Sequence, residues 1–442
     1  KKKATITNKT RKEELAALDQ ERERKSQAFQ AALNRISLHD TNKALVKSYT
    51  KFTKGKYRTY IQNPVSNESN IREMSNFLYR VSMPYRRLIN YFSDIPLFYW
   101  NLIPIIAADD KVQADKILKN YNKILVILNN MSIQNEMRKV LEIVLREGIF
   151  YGFIYEDKNS FFIHKLDPNY CRIVQIEAGC YNFAFDLSFF VKNPTYLDYV
   201  DPYFSTLYEL YKQDNTNNRW QLLDPKRTIC IKSDADNYDE NLPAFIGMFE
   251  ALLDLIDART LQRNKDEIQN YKLIFQKIPC FDGTKEVDDF SLDIDTALKF
   301  HNNLLNVVPE AVGVAMTPMD IDTVDFKTND NDNDLLASSM RAVFDDSGVS
   351  SLLFNSDTTG SVGLDGSVKT DVSYVWKIVE NIERWINRYI IYNTTGSLRY
   401  HFEILRVDIF NKDTACEKEL SLANSGVPNK LKLAATSGIN PY

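Results

Sequence analysis

Carboxylates are the residues of this sequence whose spacing comes nearest to a chemical site. Asp330, Asp332 and Asp334 alternate with other residues as the first ligands of a calcium-binding loop do. The pattern then departs from such a loop, because Leu335 occupies the position of the required glycine and Arg341 that of the bidentate glutamate. We interpret the segment as an acidic loop that caps the next helix, with weak binding of a divalent cation as the alternative.

Two pairs of adjacent carboxylates could also bind divalent cations, and they are Asp288-Asp289 and Asp345-Asp346. Two-metal nucleases hold such carboxylates beside a lysine and a hydrophobic strand. Here the pairs lie in predicted loops next to glycine and serine, so we interpret them as solvated surface. A metal-dependent nuclease is kept as a less favoured alternative.

The other residues that commonly act in catalysis are isolated from one another. No histidine lies three or four residues from another histidine or a cysteine, and no two cysteines form a CxxC pair. The sequence has no phosphate-binding loop, no dinucleotide-binding glycine pattern and no nucleophile elbow. We therefore expect no catalytic residue, no metal site, no cofactor and no enzymatic activity. The isolated residues are His39, His164, His301, His401, Cys171, Cys180, Cys230, Cys280 and Cys416.

Length and composition favour a folded protein with several domains. The 442 residues are 44% hydrophobic and 26% charged, and one core rarely accommodates so long a chain, so we expect two or three domains. Aromatic residues reach 12%, which large cores and contacts between subunits explain equally well. The odd, sparse cysteines favour a reducing compartment, and no apolar run reaches the roughly 18–20 residues of a membrane span.

Charge is distributed unevenly along the chain, although the net charge is only −4. Residues 1–60 hold sixteen Lys or Arg and six Asp or Glu, so the rest of the chain is acidic. Residues 11–37 are rich in strong helix formers but carry a thin apolar stripe, which predicts an exposed helix that needs a partner. This basic arm is either solvated or binds a partner surface different from that of the acidic body.

Hydrophobic periodicity predicts helices first and strands second in residues 61–242. A breaker cluster at 63–67 precedes a helix from Ser69, which Pro84 interrupts, and two further helices lie between 109 and 148. Four short alternating runs then predict one antiparallel meander. The runs are 150–155, 160–164, 171–176 and 181–185.

The rest of the chain predicts two long helices around a small insertion. Residues 242–269 have the most regular helical pattern, with Asn241 as its cap and Pro243 at its first position. Strands at 272–277 and 311–316, a helix at 335–344 and a Gly/Ser/Asp-rich loop follow. A second long helix is predicted at 368–392, then a strand at 398–407 and helices at 412–425 and 430–437. The fold class is therefore α+β.

These elements, in this order, resemble the portal proteins of bacteriophages over residues 70–442. The strand that begins at 148–153 resembles the strand after the helical wing core, and 347–369 resembles the tunnel-loop region. The runs 420–428 and 433–441 resemble the helical tail of that family. The resemblance implies a wing of helices and strands, a two-helix stem, a small α/β clip, a long tunnel helix and a helical C-terminal tail.

The resemblance also implies boundaries for these parts. We expect an arm at 1–60, the wing at 61–242, a stem helix at 243–268 and the clip at 269–327. A returning stem helix at 328–346, a tunnel loop at 347–367, a tunnel helix at 368–396 and a tail at 397–442 complete the chain.

Portal proteins form rings, usually of twelve subunits, at one capsid vertex, and the resemblance implies the same for this chain. The ring would assemble in the host cytoplasm and pass double-stranded DNA. It would contact the terminase packaging motor, the head–tail adaptor or tail proteins, and the major capsid and scaffold proteins, without a membrane. Channel residues would be Thr358, Thr359, Gly360, Gly363, Gly366, Lys369, Asp330, Asp332 and Asp334. Docking residues of the clip would be Asp282, Glu286, Asp288, Asp289 and Asp293.

The chemistry of these residues agrees with a conduit. Lys and Arg side chains that hold phosphates fix a duplex in place, whereas an acidic wall repels phosphates and lets DNA slide. Glycines at 360, 363 and 366 would let a loop move as DNA passes. Another virion connector or internal head protein is the first alternative to a portal, and the nuclease is the second.

Overall fold

The computed structural model describes residues 52–105, 114–157, 160–234, 240–270, 272–277, 312–317, 332–350, 362–394 and 399–439, with a few single positions between 291 and 303. The fold is α+β, as the sequence predicts. The chain divides into two compact units, one of residues 1–249 and 352–442 and the other of residues 250–351.

Three helices begin the described chain: α1 (Lys54–Gln62), α2 (Pro64–Val81) and α3 (Met83–Asp94). The breaker cluster interrupts the helix for a single residue, because the Asn63 side chain accepts a hydrogen bond from the Ser66 amide and Pro64 occupies the first helical position. The second break falls at Ser82 rather than at Pro84, which lies within the first turn of α3. Helix α2 is therefore longer at its N-terminal end than the sequence predicts.

Strand β1 (Trp100–Ile105) leads to helices α4 (Ala114–Met131) and α5 (Ile133–Glu147). Helix α5 ends at Gly148, whose φ of +84° places it in the left-handed region that favours glycine. Strand β2 begins at the next residue, Ile149, so Gly148 alone makes the turn between α5 and β2.

The strands form two three-stranded sheets and not the single meander that the sequence predicts. One sheet has the order β3-β2-β7, with β2 (Ile149–Asp157), β3 (Ser160–Lys165) and β7 (Thr228–Lys232). The other has the order β4-β5-β6, with β4 (Cys171–Glu177), β5 (Cys180–Asp186) and β6 (Trp220–Leu222). Consecutive β3 and β4 do not pair, because a 3₁₀ turn at Pro168–Tyr170 separates them.

An aromatic core lies between these sheets and the helices α6 (Ser188–Lys192) and α7 (Pro202–Gln213). The Phe153 ring lies 4.7 Å from that of Phe204, and the Tyr151 ring 4.8 Å from that of Phe183. Such contacts add specificity to the burial of large apolar area. The high aromatic content therefore has a structural explanation in this part of the chain.

Helix α8 (Phe249–Asn270) begins six residues after Pro243, later than the sequence predicts. Asn241 does not cap it. Instead, the Asn241 amide and side chain bind the Glu68 carboxylate, and a 3₁₀ turn at Ile246–Met248 precedes the helix. Long-range contacts override the local helical preference here.

The unit of residues 250–351 contains most of α8, the strands β8 (Lys272–Lys277) and β9 (Val312–Thr317), and α9 (Asp332–Ser347). Strands β8 and β9 pair in parallel, with Lys272 opposite Val312.

The other unit is completed by α10 (Val362–Asn393), β10 (Arg399–Ile404), α11 (Lys412–Asn424) and α12 (Lys430–Thr436). Strand β10 pairs antiparallel with β1, with Trp100 opposite Ile404. The inward side of α10 buries its two tryptophans, and the Trp385 indole donates to the Thr228 carbonyl at 2.9 Å. None of the helices in the described ranges is both long enough and apolar enough to cross a membrane.

Candidate functional site

The predicted channel residues fall on helix α9, on helix α10 or outside the described residues. Asp332 and Asp334 lie in the first turn of α9, so they belong to the helix rather than to a loop before it. Asp330 lies outside the described residues. The calcium-loop alternative is weakened, because two of its three carboxylates start a regular helix.

The prediction of a mobile loop at Gly363 and Gly366 is wrong. Both glycines lie in the first turns of α10, and the carbonyl of Gly366 accepts a hydrogen bond from the Thr370 hydroxyl at 3.1 Å. Each glycine costs a helix about 1 kcal/mol, but propagating a well-packed helix is easier than nucleating one. The buried stretch of α10 beyond Asp371 supplies that packing.

Lys369 lies on the exposed surface of α10, one turn after these glycines. Its role as a phosphate contact stays a prediction. The other predicted channel and clip residues lie outside the described residues; they are Thr358, Thr359, Gly360, Asp282, Glu286, Asp288, Asp289 and Asp293.

The described buried positions of α8 lie in its N-terminal part and those of α9 in its C-terminal part, which are where the unit of residues 250–351 begins and ends. On α8 the buried positions run from Phe249 to Ala258, and on α9 they are Val343 and Phe344. Farther along, the Arg259 guanidinium approaches the Met340 sulfur at 4.0 Å. Exposed positions on α9 include Arg341, Ala342, Asp345 and Asp346, so the second carboxylate pair is a solvated surface, as the sequence analysis favours.

A groove of about 600 Å³ lies between α10, β10, α11 and α12. Its lining includes Glu380, Glu383, Arg384, Glu403, Arg406 and Lys432. The carboxylates already have donors: Glu380 pairs with Arg406 at 2.5 Å, and Glu383 accepts from the Ile404 amide at 2.8 Å. Burial raises the pKa of Glu383.

A buried ion-pair cluster joins α5 to β3. Glu147 is 2% exposed and accepts from the Lys165 ammonium at 2.6 Å and the Arg146 guanidinium at 3.4 Å. Burial alone would raise the pKa of Glu147, but Lys165 and Arg146 outweigh it and hold that pKa below its usual range. We interpret the cluster as structural, because the ion pair of Glu147 and Lys165 connects α5 to β3 and lines neither described cavity.

Sequence reasoning missed this cluster and the Glu68–Asn241 contact. Their partners lie 18 and 173 residues apart, and no local spacing marks them. A charged residue next to an apolar strand, such as Lys165 after β3, is the only signal the sequence offers.

The histidines and cysteines do not converge on a site in the described part of the chain. Burial lowers the pKa of His164 to about 4 and raises those of the Cys171 and Cys180 thiols, so these groups are neutral at pH 7. Within the described ranges, no three His, Cys, Asp or Glu side chains are placed to hold a metal ion. His39, His301 and Cys280 lie outside those ranges.

Comparisons with known proteins give matches to solved structures alone. No family model matches the chain. No curated protein matches it either. A chain from the neck of an empty gene transfer agent particle, computed with C6 symmetry, is 11% identical with a TM-score of 0.43, over 83% of this chain and 94% of that one. A chain from the virion of a native gene transfer agent particle has the same identity and TM-score, over 85% and 94%. At these values we assign neither a family nor a function from the matches.

Proposed function

We propose that the chain is the subunit of a phage-type portal. Copies close into a ring, twelve in the usual case, at one capsid vertex. The ring is a conduit for packaging and ejection of double-stranded DNA. It is a structural component and not an enzyme.

One observation carries this proposal: a separate compact unit is inserted into the chain between two helices. The chain enters the unit of residues 250–351 along α8 and leaves it along α9. The 32-residue helix α10 follows in the other unit. A stem helix, a clip, a returning stem helix and a tunnel helix follow one another in that order in portal proteins.

The surfaces of the described helices support assembly with other copies. Helix α11 has no buried residue, and the hairpin it forms with α12 exposes large apolar side chains. Those side chains are Leu420, Leu422, Val427 and Leu431. Apolar side chains exposed on one hairpin are candidates for burial against another protein surface.

The charge pattern supports a path along which DNA slides. Asp320, Asp322, Asp325, Asp330, Asp332 and Asp334 precede or begin α9 in the sequence. A wall of carboxylates repels phosphates from every side and so favours a duplex near the axis. Lys369, on the helix α10 that begins at Val362, is then the candidate for a transient phosphate contact.

The partners of such a ring follow from its place in the virion. The clip would dock the packaging motor and later the tail adaptor through its acidic residues. The wing would contact the major capsid and scaffold proteins. The basic segment 1–60 would bind an acidic surface, and its binding would weaken with salt.

Electron microscopy of the purified full-length protein tests the proposal directly. We expect rings with a central opening of at least about 20 Å, the width that B-form DNA with its grooves requires. Compact monomers that form no rings even in concentrated protein solutions would contradict a portal and favour an internal head protein or an enzyme.

Incubation of the protein with plasmid DNA and Mg²⁺ or Mn²⁺ separates the conduit from the nuclease alternative. We expect no cleavage. Metal-dependent cleavage that Asp330→Asn or Asp332→Asn abolishes would overturn the non-enzymatic assignment, and Asp413→Asn on the exposed surface of α11 is the control.

A further inference from the structure

Residues 241–248 do not adopt the helical conformation that their sequence predicts. Asn241 and Pro243 form a standard helix start, and Phe245 continues the apolar stripe of Phe249 and Leu252 at spacings of four and three residues. The structure nevertheless begins the helix at Phe249. We call residues 241–248 the strap, because the contacts below connect it to α1, α2 and α5.

Glu68 on α2 holds the first residue of the strap. Its Oε1 accepts from the backbone N–H of Asn241 at 2.8 Å and from the Asn241 Nδ2 at 3.3 Å. Burial raises the pKa of Glu68, while Arg72 at 3.5 Å and Lys232 favour its ionised form. The bonds from Asn241 therefore go to a carboxylate that has lost much of its hydration.

Further contacts hold the middle of the strap. The Ala244 amide donates to the Leu145 carbonyl at 3.0 Å, and the Tyr57 hydroxyl donates to the Ile246 carbonyl at 3.1 Å. The backbone of Leu242 packs directly against Gly148, where a Cβ atom would lie 2.4 Å from the Leu242 oxygen. All these partners are in sequence-distant elements.

The strap leaves one polar atom without a hydrogen bond, and a helix that starts at this point would satisfy that atom. The Oδ1 atom of Asn241 is buried and has no hydrogen-bond partner. In a helix that starts after Asn241, this oxygen would accept from the amide of Ala244, because Pro243 has no N–H to give. In the strap, Ala244 donates to Leu145 instead.

We propose that residues 241–248 are a two-state segment that switches between the strap and an N-terminal extension of α8. In the extended state Asn241 caps the helix and α8 gains about two turns, or about 10–11 Å of helix. Asn241 belongs to both states, bound to Glu68 in one and to Ala244 in the other. Either state can prevail whether or not the protein is a portal.

Substitutions at Asn241 distinguish the two states. Asn241→Asp places a second carboxylate against Glu68 and releases the strap, yet Asp caps helices as well as Asn does. Asn241→Ala also releases the strap but removes the cap. Glu68→Ala, with Glu68→Gln as the milder variant, releases the strap from the other side.

Hydrogen–deuterium exchange of the full-length protein, followed by mass spectrometry of overlapping peptides across 233–257, gives the readout. We expect the amides of Asn241 and Ala244 to exchange at least about tenfold faster in Glu68→Ala, since each loses a hydrogen bond or its support. In Asn241→Asp, the amides of 246–249 become more protected than in the wild type. In Asn241→Ala they become less protected.

Gly247→Ala sharpens the measurement, because a Cβ at this position meets nothing within 4 Å in the strap and alanine favours a helix about fivefold over glycine. Added to Glu68→Ala, it should restore protection at 246–249. Glu209→Ala, at an exposed position of α7, is the control and should change no amide in this segment. Unchanged exchange in Glu68→Ala, or equal loss of protection in Asn241→Asp and Asn241→Ala, would overturn the two-state segment.

Discussion

His164 is the residue whose surroundings most directly tie stability to pH. It lies on β3, 9% exposed, with its Nδ1 atom buried and without a hydrogen-bond partner, among the rings of Tyr155 and Phe162. Burial lowers its pKa to about 4, below the value of about 6.5 in an unfolded chain. The folded state therefore favours the neutral imidazole, and its stability falls as pH falls from 6.5 towards 4.

We expect His164→Phe to remove this loss. At pH 4 the wild type should have lost about 3 kcal/mol through this one group, since each tenfold difference in proton affinity corresponds to about 1.4 kcal/mol. Urea unfolding at pH 7, 5 and 4 measures it, with His401→Phe at an exposed position of β10 as the control. Parallel pH profiles for wild type and His164→Phe would show that the imidazole is not the acid-sensitive group.

Gly148 is the residue whose backbone admits no side chain. Its φ of +84° and the 2.4 Å approach of the Leu242 oxygen to a built Cβ predict that Gly148→Ala lowers the free energy of unfolding by about 2 kcal/mol or more. Gly55→Ala, in open space on α1, is the control and should be neutral or slightly stabilising. Thermal unfolding measures both, and equal midpoints for the two variants would contradict the close approach.

At the scale of elements, the attachment of α5 to β3 depends on the buried ion pair of Glu147 and Lys165. Lys165→Met leaves Glu147 buried with Arg146 as its remaining cation, and we expect a loss of about 3 kcal/mol. Lys212→Met breaks the exposed pair with Glu209 on α7 and should leave stability unchanged. Chemical denaturation compares them; similar small effects would show that the Glu147 pair contributes little.

The helices and strands also show where local patterns are sufficient. The strands at 149–157, 160–165, 171–177 and 180–186 match the predicted runs, because alternation and turn residues are local signals. Their division into two sheets depends on β7 and β6, which pair with β2 and β5 across long stretches of chain. Without knowledge of these partners, consecutive short strands are expected to pair with one another in a meander.

At the scale of the whole molecule, the division at residues 250–351 predicts that the larger unit folds without the middle of the inserted one. Replacing residues 263–340 by a flexible Gly/Ser linker keeps the described buried positions of α8 and α9, which are Phe249, Ala251, Leu252, Leu253, Leu255, Ala258, Val343 and Phe344. We expect a single cooperative unfolding transition and native near-ultraviolet circular dichroism. Loss of both would show that the larger unit depends on the deleted residues.

The same variant bears on assembly. If the hairpin of α11 and α12 and the surfaces of the larger unit make the ring contacts, the shortened protein should still form rings in electron microscopy. Rings from the full chain but not from the shortened one would assign the contacts to the inserted unit instead. Either outcome leaves the two-state strap untouched, because residues 241–248 are intact.

The sequence by itself determined the α+β class, most helices and strands, and the helix–insertion–helix order, because periodicity and turn chemistry are local. Tertiary structure decided the rest. It placed Gly363 and Gly366 in a helix that is stabilised by packing beyond Asp371. Asn241 does not cap α8, because it binds Glu68, which is distant in sequence. It also buried Glu147 beside Lys165, a pairing that follows from the approach of β3 to α5 and from no spacing along the chain.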